Sequence, residues 1–150
     1  QHDWDRPLRG DWMMQLEESV LQHEHCLLVA HSLACVLVAA WAAHSTNTHR
    51  VQGALLVAPA DVERTDMQAL LHSWSPIVRE RLPFNSIVAA SRDDPYCSFM
   101  RASSLAHAWG SRFADCGMSA HINAEANVGD WPEGFALLQE LLNKEVTHGH

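Results

Sequence analysis

Cys26-Leu27-Leu28-Val29-Ala30-His31-Ser32-Leu33-Ala34-Cys35-Val36-Leu37 joins two apolar runs at a serine. An apolar run ends in His31-Ser32 and a second begins at once, with an alanine two residues to either side of the serine. A buried strand that turns sharply into a helix has this form and leaves a serine at the corner. The pattern is that of a nucleophile elbow, Gly-x-Ser-x-Gly, which lifts a serine hydroxyl above the sheet. Ala30 and Ala34 stand at the two glycine positions. They keep the small size that closely approaching backbones need and give up glycine's freedom at positive φ. The same residues also fit a strand followed by a helix with a serine N-cap. A membrane helix fits less well: Cys26 to Ala43 nearly has the length, but His31 and Ser32 interrupt it and no basic cluster flanks it.

A chain of 150 residues suits one domain with one sizeable core. Its net charge of −8 argues against a duplex nucleic-acid binder and against adsorption to anionic membranes. Cys26, Cys35, Cys97 and Cys116 form no Cys-x-x-Cys pair, and two of them lie in apolar runs. Reduced thiols in a cytoplasmic protein are the expectation, since neither a secretory nor a transit segment is legible at the start.

Taken in order, residues 1–10 read as a loop. Asp11 caps a helix whose Trp12, Met13, Leu16, Val20 and Leu21 share one face. Cys26 to Ala30 is a short strand, apolar throughout as in a sheet covered on both sides. A helix runs from Leu33 to about His44. Val51 to Ala58 is a second buried strand, closed by Pro59. Asp61 to Trp74 is weakly helical, and Ser86 to Ala90 is a third strand. Ser98 to Gly110 is a helix with Met100, Leu105, Ala106 and Trp109 inward. Arg112 to Cys116 is a fourth strand. Asp130-Trp131-Pro132-Glu133 has capping-box spacing and opens a last helix with Phe135, Leu138, Leu141 and Leu142 inward, frayed from Lys144. Strands alternate with helices four times, the signature of an α/β fold with a mostly parallel sheet between helix layers.

In such a sheet, sites form beyond the carboxyl ends of the strands. Ser32 follows the first strand, Asp93 and Asp94 follow the third, and His121 follows the fourth. A serine hydroxyl needs a base to become a nucleophile. Histidine titrates near neutral pH, and a carboxylate fixes its tautomer. The Leu33 N–H, at a helix start, is placed to bind an oxyanion. Each residue has an ordinary reading alone, Asp-Asp-Pro as a turn and His121 as one loop histidine among eleven. Their joint order, Ser then Asp then His, is what points to a triad.

Val29 to Cys35, Gly53-Ala54-Leu55-Leu56-Val57-Ala58-Pro59, Ser91-Arg92-Asp93-Asp94-Pro95-Tyr96, His121-Ile122-Asn123-Ala124-Glu125 and Gly129 to Gly134 together resemble one family. It is the α/β-hydrolase family of retinoblastoma-binding protein nine, in its bacterial branch. The resemblance implies a three-layer α/β-hydrolase-like sandwich and a serine hydrolase with Ser32, Asp94 and His121 as triad, Asp93 being the reserve acid. It also implies that an N-terminal strand and a Gly-rich loop with a second oxyanion donor would precede this chain. Their absence would leave a sheet edge open to pairing with a second copy, with less stability and activity.

A triad with an oxyanion donor implies acyl transfer to water from a small ester, thioester or amide, without cofactor or metal. Trp131, Tyr96 and Trp74 are candidates for an acyl pocket, although tryptophan is more often core. Asp61 reads as a helix cap or a substrate contact, and Asn123 and Glu125 as braces of the histidine loop. His23-Glu24-His25 and His148-Gly149-His150 lack zinc-site spacing, and no phosphate-binding glycine motif is present. The rival reading is an inactive fold serving as a protein-interaction module.

Overall fold

Val51–Val57 is apolar because helices cover both of its faces. Ala54 and Leu56 point into one hydrophobic cluster, Leu55 and Val57 into another, as the two-residue strand period dictates. The computed structural model describes residues 9–68, 72–120, 122 and 132–147. In chain order they form α1 (Arg9–Leu21), β1 (Cys26–His31), α2 (Leu33–His44), β2 (Val51–Val57), α3 (Thr65–Gln68), β3 (Asn85–Ala90), α4 (Phe99–Trp109), β4 (Arg112–Asp115) and α5 (Pro132–Thr147). The four strands are all parallel and lie in the order β1-β2-β3-β4. This is an α/β-hydrolase-like architecture: α2 and α4 pack on one face, and α5 on the other.

Helix α2 is buried almost all round because α1 lies over its outer side. The contact is sealed by Glu17, whose carboxylate accepts hydrogen bonds from Trp41 Nε1 (2.8 Å), Ser45 Oγ (2.7 Å) and Asn47 Nδ2 (2.6 Å). The apolar run after the elbow is thus a core helix. Among the described residues no helix is long and apolar enough to cross a membrane. Helix α4 is punctuated at both ends: Ser98 Oγ accepts from the Arg101 N–H, and Gly110 takes the left-handed cap at φ 70°. All four cysteines are free thiols.

Several expectations are corrected. Met100 is 83% exposed, while Ala102, Leu105, Ala106 and Trp109 are buried. Phe135 and Leu142 lie outward on α5, and Leu21 lies outward on α1. Helix α5 runs to Thr147, past Lys144. Asp11 lies inside the first turn of α1, which begins at Arg9. The helical stretch expected between Asp61 and Trp74 is present among the described residues as α3 and a 3₁₀ turn at His72–Trp74. Asp130 and Trp131 lie outside the described residues.

Strand β1, which leads into Ser32, is at one edge of the sheet among the described residues. Val29 is 46% exposed there, on the side away from α2.

Candidate active site

Ser32 sits between the last residue of β1 and the first of α2, with φ 61° and ψ −118°. An L-residue rarely holds such a φ, and it costs roughly 1–3 kcal/mol unless its surroundings impose it. Here the surroundings do: the Ser32 N–H donates to Val57 O (2.9 Å), and Ser32 O accepts from the N–H groups of Cys35 (3.1 Å) and Ala60 (3.3 Å). The sharp, strained strand-to-helix turn is the elbow expected from the sequence. Neither Ala30 nor Ala34 has positive φ, so the strain falls on the serine itself and the missing glycines cost no backbone freedom. The N–H of Leu33 opens α2 and makes no hydrogen bond among the described residues. It is available for a developing negative charge.

The other candidates gather at the same end of the sheet. Ala58, after β2, has φ 51°, and its N–H donates to Ala89 O (2.8 Å). Beyond β3, the buried Ser91 Oγ donates to Asp93 Oδ1 (2.7 Å) and accepts from the Ser119 N–H (2.9 Å). Asp93 Oδ1 also accepts from the Ala120 N–H (2.8 Å). These donors, Ser91 first, hold the Asp93 carboxyl below its ordinary range. Asp94 Oδ1 accepts from the Tyr96 N–H (2.8 Å), closing a turn.

His121 and Trp131 lie outside the described residues. The neighbours of His121 do not: Ala120 has φ 50°, and Ile122 has φ 45° with its side chain buried against Leu55, Val57 and Ile87. A β-branched residue at positive φ is a true outlier. Among the described residues, all four non-glycine positive-φ positions, Ser32, Ala58, Ala120 and Ile122, fall in turns beyond the carboxyl ends of strands. Strain of this kind concentrates at functional sites.

Sequence reasoning missed the Ser91–Asp93 clasp on the histidine loop. Ser-x-Asp is also an ordinary turn, so only its long-range partners reveal it. Trp74 is a correction: it is fully buried, with Trp12 edge-on at 5.5 Å between centroids, so it belongs to the core. Tyr96 is nearly half exposed. Asp61 caps no helix. Its Oδ1 accepts from the Glu63 N–H (3.2 Å) and faces Arg101 Nη2 (3.3 Å).

The buried thiols are not rival nucleophiles. Burial pushes Cys35 up and Cys97 up to about 12, so neither is a thiolate at neutral pH. Among the described residues no three His, Cys, Asp or Glu side chains group as metal ligands.

A serine on a strained elbow above a parallel sheet defines the class, an α/β serine hydrolase fold. The chain belongs to the serine hydrolase family, whose model matches residues 1–140. Among solved structures it is similar to a YdeN-like hydrolase of Pectobacterium atrosepticum, with 27% identity and TM-score 0.74, covering 97% of this chain and 75% of that one. It is also similar to the ydeN gene product of B. subtilis, with 20% identity and TM-score 0.71, covering 92% and 77%. The monoacylglycerol lipase of Paleococcus ferrophilus shares the fold at 12% identity and TM-score 0.67, covering 92% and 76%. No curated protein matches the chain by sequence.

Proposed function

We propose that this serine hydrolase cleaves a small ester, thioester or amide through Ser32, His121 and Asp94. The observation that carries the reading is the elbow geometry, with Ser32 at φ 61°. A protein-interaction module has no use for that strain. Ser32 Oγ attacks the acyl carbon while His121 takes its proton. The Leu33 N–H stabilises the oxyanion. Collapse of the tetrahedral species expels the alcohol, thiol or amine with the proton from His121. Water, deprotonated by the same histidine, then releases the acid and restores Ser32.

Asp94 is the preferred acid on the resemblance given above, and the contacts of Asp93 fit a different role. One oxygen of Asp93 serves Ser91 and the Ala120 N–H, the residue just before His121. In this reading Asp93 holds the histidine loop by its backbone and Asp94 orients the imidazole, as the resemblance to the branch of retinoblastoma-binding protein nine also implies. Tyr96 and Trp131 remain candidates for the acyl pocket.

A panel of short p-nitrophenyl esters, with matching thioesters and anilides, tests the reading. Turnover should be lost when the base is protonated in acid and recover as pH rises toward neutral, the signature of a histidine base. Ser32→Ala and His121→Ala should abolish it. Turnover that survives Ser32→Ala refutes the assignment.

A further inference from the structure

A second cluster of charges lies at the same end of the sheet, and the acyl-transfer steps do not use it. Asp61 follows β2, and its side chain is only 12% exposed. Arg101, in the first turn of α4, reaches both Asp61 Oδ1 (3.3 Å) and Glu63 Oε1. Glu63 also forms a two-pronged pair with Arg79 (2.8 and 2.9 Å) and accepts from the Ile77 N–H (2.7 Å). These contacts hold Glu63 at about 2, with the hydrogen bond from Arg79 the largest cause.

The cluster is joined by the backbone to both halves of the candidate site. One residue before Asp61, the Ala60 N–H donates to Ser32 O (3.3 Å). The Asp61 N–H donates to Tyr96 O (3.2 Å), and Arg64 Nη1 donates to Pro95 O (2.6 Å). Tyr96 in turn closes the turn on Asp94. The segment from Ala60 to Arg64 therefore bridges the serine elbow and the acid turn, and Arg101 fastens that segment to α4.

Stability alone does not account for this arrangement. Partly buried ion pairs lose hydration that their attraction barely recovers, and apolar replacements often fold as well. Arg101 Nε is in addition buried without a hydrogen-bond partner among the described residues. A strained φ, by contrast, persists only where neighbours over-determine it, and the Ala60–Ser32 bond is one of the few that do.

We infer that Asp61 and Arg101 are positioning residues: their ion pair fixes the 60–64 segment and so sets the geometry of Ser32 relative to Asp94. The inference rests on the triad reading given above.

The test uses Arg101→Met, Arg101→Lys and Asp61→Asn, with Arg112→Met as control. Arg112 pairs with Glu140 (2.7 Å) in a more exposed ion pair, at the amino end of β4. Folding is checked by circular dichroism. Arg101→Met should lower kcat on a short p-nitrophenyl ester about 10- to 100-fold with KM within threefold, and slow fluorophosphonate labelling of Ser32 equally. Arg101→Lys should recover part of the rate, and Asp61→Asn should fall between. Arg112→Met should label at the wild-type rate. Folded Arg101→Met and Asp61→Asn proteins that keep the wild-type kcat and labelling rate overturn the inference and leave the triad intact. Should Arg101→Met fail to fold, Arg101→Lys and Asp61→Asn decide by the same rates. A wild-type protein that is neither labelled nor active overturns the triad reading and this inference together.

Discussion

Ser32 holds a conformation that disfavours every side chain, and a single substitution separates its two consequences. Ser32→Gly removes the hydroxyl and the strain, whereas Ser32→Ala removes only the hydroxyl. Both should be inactive. Ser32→Gly should be the more stable by about 1 kcal/mol, raising Tm by roughly 2–4 °C over Ser32→Ala in a thermal melt. Equal melting temperatures would mean that the elbow is unstrained. The neighbouring aspartates divide in the same way. Asp94→Asn should keep the melting temperature and cut kcat on a short ester by about 10⁴ through loss of tautomer control. Asp93→Ala should lower the urea midpoint of unfolding, because Ser91 Oγ and the Ala120 N–H lose their acceptor. The serine was legible in the sequence because small residues flank it between apolar runs. The contacts that distinguish Asp93 from Asp94 were not: adjacent residues in a turn point in different directions, and the bond from Ala120, 27 residues away, cannot be read from the sequence.

At the scale of elements, the strands were legible to within a residue or two, and so was α2. Continuous apolar runs flanked by polar loops leave little choice. Helix faces were harder to assign. In α4 the buried set is Ala102, Leu105, Ala106 and Trp109, a stripe of period 3.6. Met100 lies two residues before that stripe, about 200° round the helix, and so faces solvent despite its apolar side chain. On α5, Leu141 is buried between Phe135 and Leu142, which are exposed. Met100→Gln should therefore change stability by less than about 0.5 kcal/mol. Leu141→Ala should cost about 2–4 kcal/mol, both read from chemical denaturation. The junction of the β2 loop with α4 carries a pH signature. Glu63 is held at about 2, below its ordinary 4.5, chiefly by Arg79. Its contribution to stability is then complete above about pH 5 and is lost as pH falls through 4 toward 2. Glu63→Gln should flatten that part of the stability–pH curve, and an unchanged acid limb would contradict the pairing.

For the molecule as a whole, parallel topology places the carboxyl ends of β1, β2, β3 and β4 side by side. The elbow, the Asp61 segment, the aspartate turn and the turn at Ser119–Ala120 therefore lie at one end of the sheet without being close in sequence. That convergence could be inferred from the order of residue types after the strands. The charge cluster that braces it could not, since Asp61, Glu63, Arg79 and Arg101 read singly as surface charges. The edge position of β1 has its own consequence. Among the described residues β1 has a strand neighbour on one side only, and Val29 is half exposed. An edge of this kind favours strand addition, and pairing with a second copy should appear as concentration-dependent mass in light scattering, reduced by Val29→Lys. A single monomer mass at all concentrations would contradict it.

On the mechanism proposed, Ser32 is an activated nucleophile. Labelling with a fluorophosphonate probe, followed by peptide mass spectrometry with Ser32→Ala as control, tests it most directly. The account predicts one adduct, on Ser32, absent from the variant. A folded protein that takes up no probe at Ser32, or takes it up elsewhere, contradicts the account.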